Sequence, residues 1–273
     1  MLKGLAEAPF IVKILLMGAL PAVVALGLGL ALAFSKKMGL VTLFLYLIGG
    51  AVSYVIFNTL PKYIQDGGPI VMILILLLVL LITYVIERSF TLARARGAKP
   101  IPVFMQEFRE HLRSGNLSLA IAACESQKGS TANVLRAGLE KHMAVQNSDL
   151  TSDKKHAEVQ RAIEEANMLE TPLLERNLIM LTTIASIGTM VGLLGTTVGM
   201  IRSFQAMSNA GAPDASQLAL GISEALINTA GGLLNGIGGI VANNFFMNKV
   251  SQFQFATDEA IYEMQQLLTI GEK

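Results

Sequence analysis

The chain has 273 residues, of which 52% are hydrophobic and only 15% charged, with no tryptophan, one cysteine and a formal net charge of +1. Soluble domains carry about 25% charged residues, so an ordinary water-soluble globule is excluded. The near-zero charge argues against a nucleic-acid binder, which needs a basic surface to neutralise phosphates. Cys124 alone can form neither an intrachain disulfide nor a cysteine metal cluster. The mean hydropathy is +0.54, and the charge is concentrated: 13 of 21 Lys and Arg, and 12 of 20 Asp and Glu, lie between Glu87 and Arg176. These features predict an all-α, polytopic helical membrane protein whose long helices extend into a cytoplasmic helical domain.

A spanning helix needs about 20 mostly apolar residues. Residues 1–62 hold two such stretches, Ile14–Phe34 and Met38–Phe57, and residues 63–90 hold a third, Ile70–Ile86, started by Pro69 and closed by Glu87 and Arg88. Residues 91–172 form the charged domain. Residues 173–247 contain two further spans, Asn177–Ile201 and Leu218–Ala242, and residues 248–273 a C-terminal helix. Arg88, Arg94, Arg96, Lys99 and Arg176 place the charged domain in the cytoplasm by the positive-inside rule. The loop Gln205–Gln217 has no Lys or Arg and belongs on the far side. The resulting orientation has the N-terminus periplasmic and the C-terminus cytoplasmic. Ala31-Leu32-Ala33 resembles a signal-peptide cleavage site, but the 21-residue apolar run Ile14–Phe34 exceeds the usual signal core of about 7–15. An uncleaved pair of spans, packed outside any pore, is the expectation.

The charged domain reads as helical. Val103, Phe104, Phe108 and Leu112 recur at helical spacing, as do Leu117, Ile121 and Cys124, then Val134, Leu135, Leu139 and Met143. Asn116 and Ser152 are expected N-caps and Gly115 and Gly129 terminators. Asp153–Thr171 is expected to run as a charged helix that Pro172 kinks or restarts. Val250, Phe253, Ile261, Met264 and Leu268 predict that the fifth span continues as an amphipathic helix. His111, His142 and His156 are not at metal-ligand spacing and read as surface residues. Cys124 reads as a small core residue. No cofactor, metal or enzymatic activity is expected.

The last two spans differ from the first three. In Asn177–Ile201, Thr182, Ser186, Thr189 and Thr196 fall inside an arc of roughly 80° at 100° per residue. In the glycine-rich Leu218–Ala242, Glu224, Asn228, Gly231, Asn235 and Gly238 form a second polar and small stripe. A lone threonine in a membrane helix usually bonds its own backbone. Two aligned stripes, one with an ionisable residue, point to a polar lumen or to a seat for another helix.

At these spans the sequence resembles the MotA/TolQ/ExbB proton-channel family. The resemblance rests on Leu174-Glu175-Arg176-Asn177-Leu178, on Thr183-Ile184-Ala185-Ser186, and on Gly192-Leu193-Leu194-Gly195-Thr196-Thr197-Val198-Gly199-Met200-Ile201-Arg202-Ser203-Phe204. It continues in Gly221-Ile222-Ser223-Glu224-Ala225-Leu226 with Thr229-Ala230, in Gly67-Gly68-Pro69, and in the exit Ile86-Glu87-Arg88. It departs at Thr189 and Gly238, where family members commonly carry proline, and in its two extra N-terminal spans. The resemblance implies a homopentamer whose pore holds a dimer of single-span, ExbD-like partners. Protons would pass between the pore wall and a partner aspartate, energising a TonB-like protein. It maps pore threonines onto Thr196 and Thr229 and a pore glutamate onto Glu224. Thr182, Ser186, Thr189, Asn228 and Asn235 complete the expected pore lining. Glu224 and Thr229 lie roughly 140° apart, so one of the two belongs at another interface. A flagellar-stator, TolQ-like or gliding-type motor, a stand-alone transporter and a passive scaffold are the competing readings.

Overall fold

A computed structural model describes residues 40–146, 148, 149, 151–209 and 215–271. The first expected span, Ile14–Phe34, lies outside the described residues. Nine helices are described: α1 (Leu40–Thr59), the short α2 (Lys62–Gln65), α3 (Pro69–Ala95), α4 (Ile101–Arg113), α5 (Leu117–Gln127), α6 (Ser130–Gln146), α7 (Ser152–Glu175), α8 (Leu178–Asn209) and α9 (Ala215–Gly271). The described residues contain no strand. α3 and the stretches that form α8 and α9 are long and apolar enough to cross a membrane, and the chain is a multi-pass membrane protein. α1 adds a mostly apolar helix of 20 residues without a charged side chain.

The chain divides into two compact units. One comprises residues up to Val85 together with Ile179–Asn243; the other comprises Ile86–Leu178 and the chain from Asn244 onward. In the first unit, α1 packs on α3. Phe57 is buried with Val71, Met72 and Ile75, and Gly49 stands opposite Leu76 and Leu80. Ser53 is buried there and donates its hydroxyl to the Gly49 carbonyl at 2.6 Å, which satisfies that buried donor within its own helix.

The second unit is built around a core of Phe104, Phe108, Leu135, Leu139, Ile163 and Met264, contributed by α4, α6, α7 and the distal part of α9. Each apolar position recurs every three or four residues, so each helix buries one stripe. Thr131 and Thr257 share a hydrogen bond of 2.8 Å, and Arg109 pairs with Glu263 at 3.1 Å, tying α6 and α4 to α9. Arg88 is 1% exposed. Its guanidinium spans Glu87 at 2.6 and 2.8 Å and donates to the Leu174 carbonyl at 3.4 Å, supplying a donor to the last turn of α7, whose terminal carbonyls have no helical partner.

Several local expectations are corrected. The helix before the fourth span breaks at Asn177, which adopts a left-handed φ of 63°, and not at Pro172, which lies inside α7. Proline frees the carbonyl four residues earlier, here that of Met168, whose residue is 72% exposed. α5 ends on Lys128 in the left-handed conformation (φ 53°). The adjacent Gly129 instead admits the backbone of the α3–α4 link, because a Cβ there would stand 2.9 Å from the Ala95 and Arg96 carbonyls. The N-cap of α7 is Thr151, one residue before Ser152, whereas Asn116 occupies the cap position of α5 without a side-chain cap bond. His142 is buried in α6 at 7% exposure instead of on the surface; Val103 and Met143, expected to face the core, are exposed.

Cys124 is buried, and burial pushes its thiol up to about 12. At pH 8 the reactive thiolate is then roughly one part in ten thousand. The expected outcome is that a thiol reagent leaves the native protein unlabelled over minutes at pH 8 and reacts completely once detergent denatures the chain. Fast native labelling would show that the α4–α6 core opens readily.

Candidate functional site

The site begins with the packing of α8 against α9. Gly188, Gly192, Gly195 and Gly199 of α8 face Asn235, Gly232, Asn228 and Ala225 of α9 in that order, so the two helices run antiparallel. At the centre the backbones touch: a Cβ on Gly192 would stand 2.8 Å from the Gly232 Cα. Close approach of this kind is how membrane helices gain van der Waals contact when hydrophobic burial supplies no drive between them.

α9 carries a second contact, with α3. The Asn228 Nδ2 donates to the Gly67 carbonyl at 3.0 Å, and the Asn235 Nδ2 donates to the Leu74 carbonyl at 3.1 Å. Gly231 packs on Leu74 and Gly238 on Leu81. Seven residues separate the two donors and seven separate the two acceptors, so α3 and α9 run parallel in one register. Asn228 and Asn235 are fully buried, at 0% and 1% exposure, and neither Oδ1 has a hydrogen-bond partner among the described residues.

At the start of α9, Glu224 is buried at 7% exposure and forms a short ion pair with Arg202 of α8. Gly68, with a left-handed φ of 74°, brings the α2–α3 link against the same carboxylate: a Cβ there would stand 2.9 Å from the Glu224 Oε1. The membrane interior tolerates a charge that is paired and held against polar backbone, and Arg202 and this glycine turn meet that condition. Sequence reasoning missed Arg202 as the partner. The available signal was two opposite charges at facing ends of antiparallel spans, which a short loop brings to similar depth.

The threonines lie elsewhere. Measured from Gly192 at 100° per residue, Thr196, Thr189 and Thr182 are turned roughly 40–80° one way. Measured from Gly232, Thr229 is turned roughly 60° in the same sense and Asn228, Asn235 and Glu224 roughly 40–80° in the other. In an antiparallel pair equal senses of rotation lead to the same side. Thr182, Thr189, Thr196 and Thr229 therefore share one side of the α8–α9 pair, and Glu224, Asn228 and Asn235 share the side that α3 covers. Thr189 rests beside Gly236, in agreement with this arrangement. Ser186 is exposed and points farther from α9. Of the two readings that the stripe of Glu224, Asn228 and Asn235 allowed, the protomer shows a seat for another helix: it lies against α3 and the link before it.

Each threonine hydroxyl is satisfied by its own helix. Thr182 donates to Ile179 at 2.9 Å, Thr189 to Ala185 at 2.8 Å, Thr196 to Leu193 at 2.6 Å and Thr229 to Ala225 at 3.2 Å. A hydroxyl that donates backward keeps its lone pairs for an incoming donor. The face is thus an array of acceptors, and its threonines are half-buried. It has no ionisable group of its own: the spanning parts of α8 and α9, Leu178–Ile201 and Leu218–Ala242, hold Glu224 alone, and that residue is on the other side. No group of histidine, cysteine or acidic residues among the described residues is placed to hold a metal ion.

Substituting Gly192 by valine is expected to lower the thermal midpoint of the purified protein sharply. The added atoms meet backbone, and overpacking costs about 3 kcal/mol or more when nothing can move aside. Thr197→Val, on the exposed side of α8 little more than a turn away, is expected to leave the midpoint within a degree or two. A thermal-shift assay in one detergent distinguishes the two.

Residues 126–258 match the model of the MotA/TolQ/ExbB proton channel family. Over 91 residues the chain is 41% identical to an ExbB-like protein of Synechocystis sp. whose name assigns it to biopolymer transport. That match covers 33% of this chain and 43% of the relative, so the chain spans less than half the length of the curated relative it matches.

Proposed function

We propose that this chain, a membrane protein whose residues 126–258 match the MotA/TolQ/ExbB proton channel family, is an ExbB-like subunit of a motor driven by the proton-motive force. It sits in the bacterial inner membrane with its N-terminus periplasmic and its C-terminus cytoplasmic. Five copies surround a dimer of ExbD-like, single-span partners, and the motion of that assembly energises a TonB-like protein for outer-membrane transport.

The observation that carries this reading is the hydroxyl face of Thr182, Thr189, Thr196 and Thr229 on the side of the α8–α9 pair away from α3. In a ring of subunits this face lines the pore, with Ser186 at its margin. It offers acceptors for a proton donor but no group that titrates, so the acid comes from the partner helix. Glu224, held by Arg202 and covered by the α2–α3 link, positions the pore wall and takes no proton in transit. Asn228 and Asn235 set the register of α3. Moving one charge through about 100 mV releases about 2.3 kcal/mol, and several protons together supply a mechanical step.

Two measurements test the reading. Native mass spectrometry of the chain, alone and co-expressed with the small single-span protein encoded beside it, is expected to give a five-fold oligomer that gains two copies of the partner. A monomer or dimer without partner overturns the assembly. In proteoliposomes of the assembled complex, Thr196→Val and Thr229→Val are each expected to lower proton flux about tenfold, the effect of removing one hydrogen bond of about 1.4 kcal/mol from the path. Glu224→Gln is expected to weaken the oligomer more than the flux per oligomer. Full flux through the double Thr196→Val/Thr229→Val variant rules out the threonine face as the path.

A further inference from the structure

Where α3 and α9 leave their apolar runs, the second compact unit contains an open groove of about 290 Å³. It begins three residues beyond Ile86 on α3 and three beyond Ala242 on α9. Its walls are apolar, with Leu92, the exposed Phe245, the buried Phe246 and the half-buried Phe253, and its polar groups include two cations, Arg96 and Lys249. No acidic residue lines it. Neither cation has a carboxylate partner within salt-bridge distance among the described residues; the Lys249 ammonium lies 5.8 Å from the Phe245 ring centre.

Two cations without counter-ions beside an apolar floor, at the level where two spanning helices emerge from the hydrocarbon, complement one kind of molecule. We propose that this groove binds an anionic phospholipid. The phosphate and acidic headgroup sit between the Arg96 guanidinium and the Lys249 ammonium, and the first part of an acyl chain lies on Leu92, Phe245 and Phe253. Arginine and lysine stems cover apolar surface while their heads reach the interface, and each cation near an anionic headgroup adds to the attraction. Only the reading of α3 and α9 as membrane spans is required; the proposal stands or falls independently of proton conduction.

The test is native mass spectrometry of the full chain in detergent, titrated with phosphatidylglycerol or with phosphatidylcholine of identical acyl chains. The wild-type protein is expected to retain phosphatidylglycerol preferentially. The double variant Arg96→Gln/Lys249→Gln is expected to lose roughly tenfold of that preference, since two headgroup cations are removed. Arg94→Gln, which removes an exposed cation of the same helix outside the groove, is expected to keep it. Equal retention of both lipids, or an equal loss in Arg94→Gln, overturns the proposal, and so does displacement of the lipid by millimolar inorganic phosphate, which would make the site one for a free anion. A photoactivatable phosphatidylglycerol on the wild-type chain gives a readout independent of the variants. Crosslinks are expected in residues 89–96 and 245–253, and their absence there, as when a second subunit fills the groove, overturns the proposal.

Discussion

The two-sided packing of α9 is the constraint from which the rest of the membrane part follows. One line of α9 meets α8 at backbone distance through Gly192 and Gly232. A second line, a quarter-turn away, meets α3 through Asn228 and Asn235. An asparagine buried without a bond is costly in an apolar setting, so the two amides penalise any slip of α3. A shift of part of a helical turn would carry both amides off their carbonyl acceptors at once. Glycine alone would permit close approach without specifying register; the paired amides supply that specification. Their unpartnered Oδ1 atoms mark where this solution is incomplete, since each amide uses only its donor side on α3.

Commitment of two lines on α9 leaves a third, and its chemistry is decided by exclusion. The charged and amide-bearing residues are consumed by the contact with α3, and the glycines by the contact with α8. What remains toward the third side is threonine set among leucine and isoleucine. A carboxylate exposed in that position would bind and hold cations or demand a fixed partner. Threonine, already bonded to its own backbone, is a weak acceptor that can release what it receives. The pairing of Glu224 with Arg202 therefore has a consequence beyond local neutralisation: it removes the one acidic side chain in the stretches Leu178–Ile201 and Leu218–Ala242 from competition with an acid brought by another chain.

Much of this was legible in the sequence, and most of the illegible part has one physical cause. The length of the apolar runs identified the spans that became α3, α8 and α9, and periodicity showed that Glu224 and Thr229 could not share a direction. It could not say which of the two faces was covered, because the cover comes from Gly67 and Leu74, 161 residues away from their asparagine partners. The same limit explains Gly129. Its position after an apolar run looked like a terminator, whereas a backbone from another part of the chain requires it. Pro172 misled for a different reason. Its lost hydrogen bond falls at an exposed turn of α7, where it breaks nothing, while Asn177, one of the few residue types that accept a left-handed conformation, ends the helical path instead.

The composition of α9 shows the same division of labour along a single helix. Its first half, as far as Ala242, is dense in glycine, and the residues from Asn243 to Ile270 contain neither glycine nor proline. A glycine inside a helix in water costs about 1 kcal/mol relative to alanine, mostly because it frees the backbone and exposes it to solvent. In the hydrocarbon core no water competes for the backbone, and helices persist there because unsatisfied peptide groups have no alternative. Glycine is therefore cheap in the spanning half, where the close contacts with α8 and α3 require it. Beyond the membrane the balance reverses. There α9 is held by side chains such as Val250, Thr257 and Met264, all buried, and a glycine would weaken the helix without gaining a contact. One uninterrupted helix of 57 residues thus obeys two sets of rules, with the change falling where its apolar run ends.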